Sequence, residues 1–131
     1  MNAFLVELEN KPGEFARVSE AIAAKGINIT SISGSTCGSS GRVAIATDND
    51  TATRTVLGEA KVTYTESEVT EAVLRNEPGA LASVARRLAS SGINIEAIMP
   101  TGMNGNGVTV AFVTDDPVTA RGLLAEATSA S

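Results

Sequence analysis

The chain has no histidine and no tryptophan, one cysteine, and only four aromatic side chains: Phe4, Phe15, Tyr64 and Phe112. Each shortage excludes something. Without histidine there is no imidazole base, so neither a Ser-His nor a Cys-His nucleophile pair can form. A Cys/His zinc set is excluded as well, and no catalytic residue, metal or cofactor is expected. Cys37 stands alone, so no intrachain disulfide is available and a reducing compartment fits. It lies in a Gly/Ser stretch with no basic neighbour before Arg42, which is the setting of an inert loop thiol.

Positive charge is also short. The formal net charge of −5 offers no basic face for phosphate backbones, and aromatic platforms for single strands are missing. No apolar run approaches the roughly 20 residues that span a bilayer. The first residues enter a strand pattern without a charged leader. The expectation is a cytoplasmic protein that is not an enzyme, with neither nucleic acid nor membrane as partner.

What is present is a duplication. Asn10-Lys11-Pro12-Gly13-Glu14-Phe15, followed by Gly26-Ile27-Asn28-Ile29, returns as Asn76-Glu77-Pro78-Gly79-Ala80-Leu81 and Gly92-Ile93-Asn94-Ile95, at an offset of 66. Such self-similarity marks one structural unit made twice. Boundaries at 1–66 and 67–131 follow. Each copy has only about 65 residues, a size at which a lone core is marginal. The copies are therefore expected to pack on each other, on a second chain, or both.

Within the first copy, Phe4, Val6 and Leu8 share one face and Leu5, Glu7 and Glu9 the other, the period of a half-buried strand. Asn10-Lys11-Pro12-Gly13 breaks it. From Gly13 to Lys25, Phe15, Val18 and Ile22 recur at helical spacing with alanines between them. Pro12 suits a helix's first turn and Gly26 its C-cap. Strands are predicted at 27–32, 42–47 and 60–65, a flexible connection over 33–41, and a short helix from the Asp48-Asn49-Asp50-Thr51 cap candidates to Leu57. The second copy repeats this with strands at 69–75, 93–99 and 108–114 and helices at 79–91 and from Asp115 to about Ala127. Its fourth strand has no counterpart. The fold class is α+β: two ferredoxin-like βαββαβ repeats with antiparallel sheets, the second lacking a clear fourth strand. The edge left uncovered at Val69–Arg75 is expected to pair with Lys61–Thr65 or with a second chain.

Two weaker patterns fail on inspection. Asp48-Asn49-Asp50 with Glu59 has the outline of a calcium loop, but Ala52 and Thr53 occupy places that need an oxygen ligand and a glycine. The glycine-rich stretches contain no lysine and lead into strands, unlike a phosphate loop. Glu66, Glu68 and Glu71 read as a solvated linker face.

The repeated turn is different. A helix start presents unpaired N–H groups and a partial positive charge, a ready carboxylate site. Gly13 has no side chain to block approach, and Asn offers both donor and acceptor to a zwitterion. The other reading is that Asn-x-Pro-Gly is simply a good strand-to-helix turn. Asn28 and Asn94, between isoleucines, read as outward strand residues.

These paired stretches, at fixed spacing and seen twice, resemble the ACT domain, a small regulatory module of βαββαβ topology. The resemblance implies an amino acid or similar metabolite held at an interface between paired repeats or subunits. It places ligand contacts at Asn10, Pro12, Gly13, Glu14 and Phe15 and at Asn76, Pro78, Gly79, Ala80 and Leu81. Asn28 with Ile29, and Asn94 with Ile95, would contribute from a facing domain. A homodimer and allosteric regulation are expected, with a metabolic enzyme as a further partner. The alternative is an interaction subunit of an amino-acid biosynthetic enzyme with no ligand of its own. The two turns differ at Lys11/Glu77 and Glu14/Ala80. Glu14 would repel a ligand carboxylate, so the second turn is expected to bind more tightly.

Overall fold

The computed structural model describes residues 1–130, with every side chain except those of residues 104 and 126–130. The chain forms two compact units, Met1–Ser67 and Glu68–Ser131. The first contains β1 (Asn2–Glu9), α1 (Glu14–Ala24), β2 (Ile29–Cys37), β3 (Ser40–Thr47), α2 (Asp50–Glu59) and the start of β4 (Thr63–Arg75). The second contains the rest of β4, α3 (Ala80–Ser90), β5 (Ile95–Asn104), β6 (Gly107–Thr114) and α4 (Pro117–Ala130).

In the first unit the strand order is β2-β3-β1-β4, and both β1 and β2 run antiparallel to β3. The alternation read in the sequence sends Phe4, Val6 and Leu8 to the helix-facing side. There they form one core with Val18 and Ile22 of α1, Ile45 of β3, and Val56 and Leu57 of α2. Phe15 leaves this stripe and is 40% exposed. In the second unit the order is β4-β6-β5. Ala72, Leu74, Val84, Leu88, Phe112, Ala120 and Leu124 make the matching core. Both units have the βαββ order of a ferredoxin-like fold, and among the described residues no strand follows α4.

Several boundaries differ from the sequence reading. The stretch 33–41 is not a flexible connection. β2 and β3 continue through it to a two-residue turn at Gly38-Ser39, where Gly38 takes φ +63°. Glycine in the left-handed region is what a tight hairpin turn requires. The second copy does the same at Gly105-Asn106, with Gly105 at φ +58°. Serine- and glycine-rich strands that project beyond the core lack the apolar alternation that would announce them.

The predicted strands 60–65 and 69–75 are one strand, β4, so they are collinear and cannot lie side by side. The residues between them are not a linker either. Glu66 is inside the strand and is gripped by Arg54 and Asn2. α2 continues through Gly58 to Glu59, and its cap is Asn49, whose Oδ1 accepts from Ala52 N at 3.0 Å.

Both copies end their first helix alike. Gly26 N donates to Ala23 O and Ile27 N to Ile22 O, and Gly92 and Ile93 repeat this on Ala89 and Leu88. The two glycines take φ +72° and +73°, the left-handed position of a Schellman cap. Among the described residues no helix is long and apolar enough to cross a membrane.

Candidate functional site

The Asn-x-Pro-Gly stretch is a turn of defined type. Pro12 and Gly13 are its central residues, Gly13 has φ +88° and ψ −11°, and Glu14 N approaches Lys11 O at 3.5 Å. Proline followed by a glycine of positive φ is the signature of a type II turn. Gly79 repeats it with φ +89° and ψ −11°. Pro12 therefore precedes the helix instead of forming its first turn, and Gly13 is the N-cap.

This shifts the available donors by one residue. The first bond within the helix runs from Arg17 N to Gly13 O at 2.9 Å. The N–H groups of Phe15 and Ala16 have no partner among the described residues. They point outward from the start of an eleven-residue helix, where the dipole favours an anion. A side chain built on Gly13 would meet nothing within 4 Å, so the approach is open.

A cleft of about 370 Å³ lies at this turn. Leu8 and Phe15 wall it on the β1–α1 side, and Ile32 and Val43 on the β2–β3 side. Asn10, Lys11 and Glu14 rim it. Gly34 and Gly41 also border it. The register pairs Gly34 with Val43 and Gly41 with Leu8, so both glycines belong to the helix-facing side of the sheet. Ile32 is 44% exposed along the cleft. Ile32 and Val43 belong to strands predicted from the sequence but are not assigned to a site there, and Gly34 and Gly41 fall in the stretch expected to be a loop; the signal for all four is the period of two along β2 and β3.

The charges at the rim partly cancel. Lys11 Nζ lies 2.8 Å from Glu9 Oε2. This hydrogen bond holds the Glu9 carboxyl below its usual range and the Lys11 ammonium above its own. Glu14 Oε2 lies 3.5 Å from Arg17 Nε. Asn10 has structural work: its Nδ2 donates to Gly38 O at 2.9 Å and its N–H to Ser39 O at 3.0 Å, tying the turn to the β2–β3 hairpin.

The remaining predicted residues lie elsewhere in their units. Asn28 precedes β2, while the Asn10 turn sits level with the end of that strand. Nine residues of strand separate the two levels, roughly 30 Å. Asn28 is clamped through its main chain, with its N–H on Asp48 Oδ1 at 3.0 Å and its carbonyl accepting from Asp48 N at 3.1 Å. Asn94 and Asp115 repeat this clamp at 2.9 and 3.2 Å. Ile29 and Ile95 pack against the two cores. No unit brings its own Asn28 or Asn94 to its own turn. In the second unit, Asn76, Pro78, Gly79, Ala80 and Leu81 occupy the corresponding turn before α3, and Leu81 is 45% exposed.

Residues 3–62 match the family model described as the ACT domain. No curated protein matches the chain. Among solved structures, a protein from Bacteroides thetaiotaomicron is similar, with 23% identity and a TM-score of 0.79 over 95% of this chain and 86% of that one. The ligand-free regulatory subunit of aspartate kinase from Thermus thermophilus gives 20% identity and a TM-score of 0.66, over 96% of this chain and 90% of that one. The corresponding subunit from Thermus flavus gives 19% and 0.62, over 96% and 92%. At these identities the likeness shows the fold, and it extends over both units.

Proposed function

We propose that this protein is a non-enzymatic regulator that binds an amino acid at the turn before α1. The observation that carries the reading is the cleft, which lies against the start of α1 where two backbone N–H groups have no partner among the described residues. A carboxylate would sit on those donors and a side chain would enter the cleft. Phe15 and Ile32 leave one side of the cleft open, and a facing ACT domain of a second copy, bringing its Asn28, would close it. The turn before α3 is the second candidate position. Binding acts as a signal only if it favours one arrangement of the pair over another. The fold shared with an aspartate kinase regulatory subunit supports a cytoplasmic enzyme of amino-acid metabolism as the recipient.

A thermal-shift screen against the twenty amino acids at millimolar concentration tests this. One amino acid at about 100 times its Kd should add about 2.7 kcal/mol of stability. If none stabilises the protein, the reading falls to the alternative, an interaction subunit without a ligand. The exposed pairs Phe15/Ile32 and Leu81/Ile98 are apolar enough to serve that role.

A further inference from the structure

We infer that the two copies are not equivalent: the first takes an amino acid with an apolar side chain, and the second is closed to it. This rests on the proposed reading of the turn as an amino-acid site. The walls Leu8, Phe15, Ile32 and Val43 present hydrocarbon. The volume of about 370 Å³ falls at the small end of the range for ligand pockets, roughly 300–1,000 Å³. A leucine, isoleucine, methionine or phenylalanine side chain suits such a space. A charged side chain set against these four walls would be desolvated, and of the charged residues bordering the cleft Lys11 and Glu14 already have partners and Arg42 is exposed.

The space exists because two wall positions are glycine. A Cβ on Gly34 would come within 3.1 Å of Val43 Cγ2 and 3.3 Å of Arg42 O, and one on Gly41 within 3.3 Å of Thr36 Cγ2. Strand register identifies the corresponding residues of the second unit, across a bulge that β5 carries between Pro100 and Gly102. Pro100 pairs with Val110 as Gly34 pairs with Val43. Val108 lies between Leu74 and Met103 as Gly41 lies between Leu8 and Thr36. Glycine, glycine and threonine thus become proline, valine and methionine, and Val108 packs against its own core. Val108 thus sets a side chain where Gly41 leaves the first copy open, while Pro100 and Met103 stay exposed to solvent. This reverses the ranking expected from the turns alone. Glu14, the residue expected to weaken the first site, has Arg17 beside it.

Isothermal titration of the whole chain tests this, with L-leucine, L-isoleucine, L-methionine and L-phenylalanine against L-aspartate, L-lysine and L-serine. An apolar amino acid should bind at one per chain. Gly41→Val, which copies the second unit, should weaken it at least tenfold, while Val108→Gly leaves the first site within twofold. Should Gly41→Val fail to fold, Phe15→Ala gives the same weakening. Two bound molecules per chain, preference for a charged or polar amino acid, or equal losses from Phe15→Ala and Leu81→Ala would each overturn the inference while leaving the turn as an amino-acid site. Binding of none of the seven by the wild-type chain overturns it as well, and the thermal-shift screen then separates the causes. Stabilisation by an amino acid outside this set keeps the turn reading, whereas none at all removes it too.

Discussion

Arg54 of α2 holds Glu66 of β4 with two parallel hydrogen bonds, Nε to Oε1 and Nη2 to Oε2, each 2.7 Å long. Asn2 Nδ2 adds a third, also 2.7 Å, on Oε2. The Glu66 side chain is only 19% exposed, so three donors meet a carboxylate largely removed from water. First the Arg54 bond and then the Asn2 bond lower its pKa from 4.5 to about 2. A carboxyl depressed by folding stabilises the fold fully above its unfolded pKa. That contribution is lost as pH falls from about 4.5 towards about 2. Glu66→Gln should cost about 1 kcal/mol near neutral pH, the upper range for an ion pair with an exposed arginine. The gap between the variants should close near pH 2, which denaturant unfolding at the two pH values checks.

Two glycine-to-alanine substitutions should act in opposite directions. Gly79 has φ +89° as the N-cap of α3, a conformation that costs an L-residue roughly 1–2 kcal/mol. Gly79→Ala should destabilise by that amount even though a Cβ there meets nothing within 4 Å. Gly122 lies inside α4, also with open space around it, and has no positive φ. Gly122→Ala should stabilise by up to about 1 kcal/mol. Thermal unfolding of both variants reads the two signs.

Thr70 occupies the place in β4 that Phe4 occupies in β1, at the repeat's offset of 66. It is 5% exposed, and its Oγ1 is buried without a hydrogen-bond partner among the described residues. An unsatisfied buried hydroxyl costs about 1–3 kcal/mol. Thr70→Val keeps the shape and removes that cost, so the variant should be more stable by about 1 kcal/mol in urea denaturation. An unchanged or lower midpoint would mean that the hydroxyl is satisfied in solution.

Asn10 binds the β2–β3 hairpin through its side chain. Asn10→Ala should therefore lower the stability of the ligand-free protein by about 0.5–1.5 kcal/mol. Amide exchange should rise first at the Gly38-Ser39 turn. A variant of wild-type stability and exchange would leave Asn10 no structural role and make a ligand contact its main function.

Local chemistry was legible in the residues themselves. The duplication, the Asn-x-Pro-Gly turn, the glycine caps and the Phe4/Val6/Leu8 alternation all depend on contacts within a few positions of chain. Tertiary structure decided the rest, because pairing and exposure depend on distant partners. β2 and β3 extend through a serine- and glycine-rich stretch because each supplies the other's hydrogen bonds, a support invisible to hydrophobic periodicity. Phe15 fits the apolar stripe of α1 by spacing, yet it stands at the cleft because the core beneath is completed by Val18 and Ile22. The difference between the candidate sites lies in Gly34 and Gly41 against Pro100 and Val108. Those residues become comparable only once strand register shows which positions face one another.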